Sequence, residues 1–424
     1  MGIGYAGLPL AVRAAAIGHR VWGLDIDQAR VAAVNAGVSP VETVPSGELR
    51  GVRDLLTATG DPACIAASGT VVICVPSPLD TMGRPDFGPL TRAVRTVRDH
   101  LRAGQLVIVE STTSPGTTEG LVRRTLEQSS LRAGHDFTLA YSPERVDPGN
   151  TRFGLVNTPK VVGGFTAACG YRAAEFYRPM VGGVYVTRGL REAEAAKILE
   201  NTFRQVNIGL VNEFAQICDR LRIDVWDTLA AAATKPFGYL PFYPGPGVGG
   251  HCIPEDPMYI VHLVSELGGR FSLAELAQQI NAGMPSWFAH RICKRLGDRI
   301  GSHVGARVLL LGVTYKPDIA DIRNSPAIEL ARELESQGVL VSFHDPHIDE
   351  LVVGGAPLRR VTDLADAIRR SSLTVLLKRH REYTDDMLAT VARLFDTTGW
   401  SAASAHAERG GERGELGLGG RGDA

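Results

Sequence analysis

The sequence predicts an α/β protein: an N-terminal Rossmann-like domain, a central long-helix region and a smaller C-terminal Rossmann-like α/β domain. Three observations carry this reading. A glycine fingerprint opens the chain, β-rich runs alternate with helical stretches over residues 1–150, and a second alternating block begins near residue 305.

Gly2, Gly4 and Gly7 form a G-x-G-x-x-G turn, with Tyr5 and Ala6 inside it. Such a turn brings backbone amides and a helix N-terminus against a pyrophosphate. Only Met1 precedes the turn, so the strand that normally leads into it is expected to be missing. Residues 19–27, 70–78, 105–112 and 137–144 read as strands of a parallel sheet built from βαβ units. Ligands of such sheets lie beyond the carboxyl ends of the strands, which here carry Asp25, Ser77, Thr112 and Glu144. Asp25 ends the strand after the fingerprint, where an acid takes the adenosine ribose hydroxyls. Its charge repels a 2′-phosphate, so NAD is expected rather than NADP.

The pattern then becomes helical. Ile198, Leu199, Phe203, Val206, Leu210, Phe214, Ile217 and Leu221 recur at helical spacing. The Pro- and Gly-rich break at 236–257 is too long for an ordinary connection and is expected to be functional. The later block supplies strands at 306–317, 338–346, 373–378 and 392–398. The expected boundaries are 1–188, 189–300, 301–402 and a Gly-rich tail at 403–424 that is too polar to bury a core.

Composition narrows the function. The 424 residues carry 45 Lys plus Arg against 46 Asp plus Glu, a balance that argues against a protein coating nucleic acid or a membrane surface. No apolar run approaches the roughly 18 residues of a membrane span, and neither a membrane span nor a signal peptide is expected. Cys64, Cys74, Cys169, Cys218, Cys252 and Cys293 show no paired spacing, so neither disulfides nor a zinc site are expected, and a reducing cytoplasm is.

One cysteine stands apart. Cys252 lies in "GVGGHCIPED" (247–256), a glycine-rich loop unlike the strands and helices that house inert cysteines. Lys197 and Asn201 are four apart on the long helix and share a face; spacing alone better suits a solvated lysine with a nearby amide. Glu144, at the mouth of the first sheet, suits a general base or a surface ion pair. Lys316 and Arg323 flank "KPDIADIR" and suit phosphate binding or a charged loop.

These pieces occur together in one family. Through "GIGYAGLPLA", "ICVPSPLD", "EST", "YSPERVDPGN", "AEAAKILENTFRQVNIGLVNE", "GPGVGGHCIPEDP" and "YKPDIADIRNSPA", the chain resembles the UDP-glucose/GDP-mannose dehydrogenases over about residues 2–400. The resemblance implies four-electron oxidation of a nucleotide sugar at C6, with two NAD and no metal. It implies that Cys252 is the nucleophile of a thioester route and that Lys197 and Asn201 stabilise an oxyanion. Asp256 would order water with that lysine, Glu144 would be the base for hydrolysis, and Thr112 would position water. Lys316, Tyr243 and Gly249 would face the UDP-sugar, and Arg323 the cofactor. The central helices would form the interface of a homodimer or larger oligomer.

His251 before the thiol and Glu255 before Asp256 resemble the N-acetylhexosamine branch, and UDP-N-acetylglucosamine is the expected substrate. UDP-N-acetylmannosamine and UDP-glucose are alternatives. "FDTTG" (395–399) departs from the family's usual Asp-Thr-Arg-Asn. Two rival readings stand beside this one. β-Hydroxyacid dehydrogenases share the Lys-x-x-x-Asn helix but need neither the cysteine nor the second α/β domain. A truncated, non-catalytic relic would bind a nucleotide sugar only weakly.

Overall fold

The computed structural model describes residues 1–400 except Pro148 and Thr151. The expected tail therefore lies outside the described residues. The chain divides into two compact units: Met1–Asn201 with Glu255–Arg270, and Thr202–Pro254 with the chain from Phe271 onward.

The first unit holds β1 (Val21–Leu24), β2 (Leu56–Thr59), β3 (Thr70–Ile73), β4 (Leu106–Val109), β5 (Thr138–Tyr141), β6 (Lys160–Gly164) and β7 (Val184–Val186). β1 and β2 pair in parallel, and β3-β4-β5-β6-β7 form a separate sheet. Where the leading strand was expected to be missing, Met1 and Gly2 bond to both neighbours. Gly2 N donates to Leu24 O at 2.8 Å on one side. On the other, the Met1 amino group donates to Val72 O at 2.8 Å and Cys74 N to Met1 O at 2.8 Å.

The sheet is not wholly parallel, as the spacing had suggested. β5 and β6 run antiparallel, with Ala140 opposite Gly164. A parallel return needs a helical crossover, and the described part of 142–159 contains no helix. β4 is buried throughout because both its faces are covered. Val107 and Val109 pack with Leu90, Val94 and Val97 on one side. Leu106 and Ile108 pack with Ala173 and Tyr177 on the other.

The long helix is Leu190–Leu221, of 32 residues. Beside Ile198, Ile208 and Val211 it buries Glu194, Lys197, Asn201, Gln205 and Asn212, whereas Leu199, Phe203, Leu210, Phe214, Ile217 and Leu221 are exposed. The two sets fall on opposite sides of the helix.

The second unit holds β8 (Arg307–Leu311), β9 (Leu340–His344), β10 (Glu350–Val353), β11 (Ala356–Arg359), β12 (Leu373–Leu376) and β13 (Leu394–Asp396). Its main sheet is parallel in the order β13-β12-β8-β9, and β10–β11 is an antiparallel hairpin. Val308, Leu310 and Phe343 pack against Phe288 and Ile292 of helix Ser272–Ile300 and Leu330 of helix Pro326–Ser336. The chain leaves β8 for β9 on one side and later crosses to β12 on the other. The order therefore switches between β8 and β12.

Buried amides in this unit hold the Pro- and Gly-rich break. Asn212 Nδ2 donates to Asn281 Oδ1 at 2.9 Å, Asn281 Nδ2 to Gln205 O at 3.2 Å, and Gly245 N to Asn212 Oδ1 at 2.9 Å.

Candidate active site

Two fingerprint glycines are demanded by the protein itself. Gly2 has φ +84°, and a Cβ there would lie 2.4 Å from Cys74 O. A Cβ on Gly7 would lie 1.8 Å from Gly2 O. At Gly4 the nearest atom is the flexible Arg30 Nη1 at 3.7 Å, so its bareness leaves room for a ligand. The turn leads into helix Gly7–Ala16, with Tyr5 exposed and Ala6 half-buried beside it. Asp25 is buried and bound to the turn: Oδ2 accepts from Ile3 N at 2.9 Å and Oδ1 from Asp27 N at 3.0 Å. Arg30, which the sequence reading missed, reaches Asp25 Oδ2 at 3.4 Å. Ser77 and Thr112, on loops after β3 and β4, are half-buried.

The first unit also gathers Lys197, Asn201, Glu144 and Asp256. Lys197 is 6% exposed, which excludes a solvated surface lysine. Its Nζ donates to Glu144 O at 2.7 Å and lies 3.9 Å from Glu144 Oε2. Burial raises the Glu144 carboxyl above its ordinary pKa, while the positive charges of Lys197 and Lys160 pull it back. One turn along the helix, Asn201 Nδ2 donates to Asp256 Oδ2 at 2.5 Å, and both side chains are buried. This places an ammonium, an amide and two carboxyl groups in one water-poor region.

Glu194 braces the cluster. It is fully buried on the same helix, three residues before Lys197. Its carboxylate accepts from Thr113 Oγ1 at 2.9 Å, Gly116 N at 2.6 Å, Thr118 N at 2.9 Å and Thr118 Oγ1 at 2.7 Å. The sequence reading did not single it out. Its spacing from Lys197 was the available signal, since residues three apart share a helix face.

In the second unit, Cys252 is not in a loop. It is the first residue of helix Cys252–Glu266, so the glycines end where the helix begins. Its side chain is exposed. Asp256 lies one turn further along the same helix. The preceding loop is clamped: Gly250 N donates to Arg323 O at 2.9 Å, and Asn324 Nδ2 to Gly250 O at 3.0 Å. A Cβ on Gly249 would lie 2.6 Å from Tyr315 Cβ, so only glycine fits there. Tyr243 stacks on Trp226 with ring centroids 6.1 Å apart.

Lys316 is 7% exposed on the loop after β8. Arg323 folds onto buried Asp321, with Nη2 2.6 Å from Oδ2. Lys378, just after β12, was also missed. It is half-buried, and burial pushes its amine down to about 8.

Asp318, His347, His380 and Glu382 bring four potential metal-ligand atoms within 4.8 Å of one another. Several of these groups are already engaged. His380 Nδ1 accepts from Asp318 N at 2.9 Å, and Nε2 faces Asp345 Oδ2 at 3.0 Å. Asp318 Oδ1 accepts from Arg381 N at 2.8 Å. The arrangement ties together the loops after β8, β9 and β12.

Comparison with known proteins adds the following. Residues 1–181 match the NAD binding domain of the UDP-glucose/GDP-mannose dehydrogenase family, 191–283 its central domain and 309–400 its UDP binding domain. A UDP-N-acetyl-D-glucosamine 6-dehydrogenase of Pseudomonas aeruginosa is 36% identical over 352 residues, 82% of each chain. A UDP-N-acetyl-D-mannosamine dehydrogenase of Pyrococcus horikoshii is 35% identical over 371 residues, 87% of each chain. A solved UDP-D-ManNAc dehydrogenase structure from the same organism has a TM-score of 0.83 at 32% identity, covering 93% of this chain and 94% of that one.

Proposed function

The chain belongs to the UDP-glucose/GDP-mannose dehydrogenase family, and on that premise we propose that it oxidises the C6 alcohol of a UDP-sugar to the carboxylate through a thioester on Cys252. UDP-N-acetylglucosamine is the substrate we favour, and UDP-N-acetylmannosamine is the second reading. Relatives named for each are 36% and 35% identical. The observation that carries the mechanism is helix Cys252–Glu266. It opens on an exposed thiol, and one turn later its Asp256 is hydrogen-bonded to Asn201, on the helix that buries Lys197.

The glycine turn and Asp25 fit NAD, which supplies a hydride acceptor in each of two oxidations. Cys252 adds to the C6 aldehyde from the first oxidation. The first-turn amides of its helix favour negative charge on the sulfur. Lys197 and Asn201 stabilise oxygen charge as it develops at C6. The second oxidation leaves a thioester. Glu144 takes a proton from the water that cleaves it, and Asp256 and Thr112 help to hold that water. The sum consumes one alcohol, two NAD and one water and yields one carboxylate, two NADH and three protons. The exposed apolar stripe of the long helix supports a homodimer or larger assembly of this chain.

Two measurements test the reading. Purified protein should form two NADH per UDP-N-acetylglucosamine consumed, with the uronic acid as product. Cys252→Ser should lose acid formation yet bind NAD normally, because a hydroxyl is a far weaker nucleophile at neutral pH. Full turnover by that variant would overturn the thioester route.

A further inference from the structure

Lys378 stands at the one place where the second sheet is built to receive a ligand. In an open parallel sheet, that place is the crevice at the carboxyl ends of the strands where the order reverses. Here it lies between β8 and β12. Lys378 follows β12, and the loop bearing Lys316 follows β8. The two strand ends are in direct contact: Lys378 N donates to Leu311 O at 3.3 Å. Gly312 is so close that a Cβ on it would lie 2.1 Å from Lys378 O.

The amine lacks what a partly buried ammonium needs. Among the described residues no carboxylate pairs with Lys378. Its neighbours are matched: Arg379 Nη2 lies 2.6 Å from Asp385 Oδ1, and Arg381 bonds Asp318 through both backbone and side chain. At the β9 end the nearby cation is already matched: Arg360 Nη1 donates to Asp345 O at 3.1 Å and its Nη2 lies 2.8 Å from Asp349 Oδ1. β9 runs into Asp345, already held by His380 and by Val313 N at 2.7 Å. β13 runs into Asp396, Thr397, Thr398 and Gly399. An anion entering the crevice would supply the missing charge, and a diphosphate suits a pair of lysines.

We propose that Lys378 contacts the diphosphate of the nucleotide sugar, acting beside Lys316 at the β8/β12 crevice. This rests on the UDP-sugar reading above and adds to it a residue that recognises phosphate rather than sugar or base.

UDP is the probe, and uridine the control that lacks phosphate. Calorimetry on the full chain should show that Lys378→Met weakens UDP about ten- to a hundredfold, the worth of one charge-assisted hydrogen bond. Uridine and NAD affinities should be unchanged, and Lys378→Arg should retain most of the UDP affinity. The wild-type protein gives a second readout that needs no variant: UDP, but not uridine, should shield Lys378 from an amine-acetylating reagent, as followed by mass spectrometry. Equal UDP affinity in wild type and Lys378→Met, or equal acetylation with and without UDP, would overturn the assignment of Lys378 alone. Wild-type protein that binds UDP no better than uridine would overturn both this assignment and the UDP-sugar reading.

Discussion

Lys197 is bonded to the main chain of Glu144 and faces its carboxyl group, so its removal acts on two properties at once. The first, on the mechanism proposed above, is charge stabilisation at C6. Losing one such donor costs roughly 2.7–4 kcal/mol at comparable sites, so Lys197→Met should reduce kcat by about a hundredfold or more. The second is the protonation of Glu144. Burial already raises that carboxyl, and Lys197 opposes the rise. Without the ammonium, Glu144 keeps its proton to higher pH. Because a base must be deprotonated to act, the acid limb of the kcat–pH profile should move to higher pH. A lower kcat with an unmoved limb would separate Lys197 from Glu144. The sequence marked both residues through their place at a strand end and on a helix face. It gave no sign that the lysine was buried, because burial depends on what packs over a face and not on spacing along it.

At the scale of the element, the long helix owes its placement to Glu194. Four donors from the segment 113–118 converge on its carboxylate, fixing the loop after β4 against the helix turn that precedes Lys197. Glu194→Ala would leave buried amide and hydroxyl groups unpaired, at about 1–3 kcal/mol each. Urea unfolding should show a loss of about 3 kcal/mol or more, well above a typical surface substitution. A loss below about 0.5 kcal/mol would show that water or a local shift satisfies those donors.

Regular elements were the most legible part of the chain. The runs that became β4, β8 and β12 are dense in Val, Ile and Leu because both faces of their sheets are covered. β6 escaped notice because it ends in Gly163 and Gly164, which weaken a strand pattern but are required where Gly189 and Gly170 press in: their Cβ atoms would lie 2.3 Å from Gly189 O and 2.0 Å from Gly170 N. Cys252 was read as a loop residue because Pro254 and Pro257 follow it. Pro254 falls in the first helical turn, where amide hydrogens have no partner in any case, whereas Pro257 lies inside the helix and forgoes one of its bonds.

At the scale of the molecule, the stripe from Leu199 to Leu221 is the feature on which the proposed assembly rests. Six large apolar side chains on one helix face are too many to leave in water on a lone chain. Light scattering at micromolar concentration should report a dimer or larger species for the natural sequence. Leu210→Glu, at a position 61% exposed in the single chain, should shift the mass toward the monomer. An unchanged mass would place the interface elsewhere. The sequence revealed the period of these residues, but period alone does not tell a core face from an interface face.

The distribution of the six thiols has a practical consequence. Cys169, Cys218 and Cys293 are buried, Cys64 and Cys74 are partly covered, and Cys252 is exposed. Burial raises Cys74 to about 12 and also raises Cys64, Cys218 and Cys293, keeping them as sluggish neutral thiols. An alkylating reagent or a peroxide therefore meets one receptive sulfur per chain, at the head of a helix. On the thioester route proposed above, one equivalent of label would count competent molecules in a preparation, and the same exposure makes this sulfur the first to meet an oxidant.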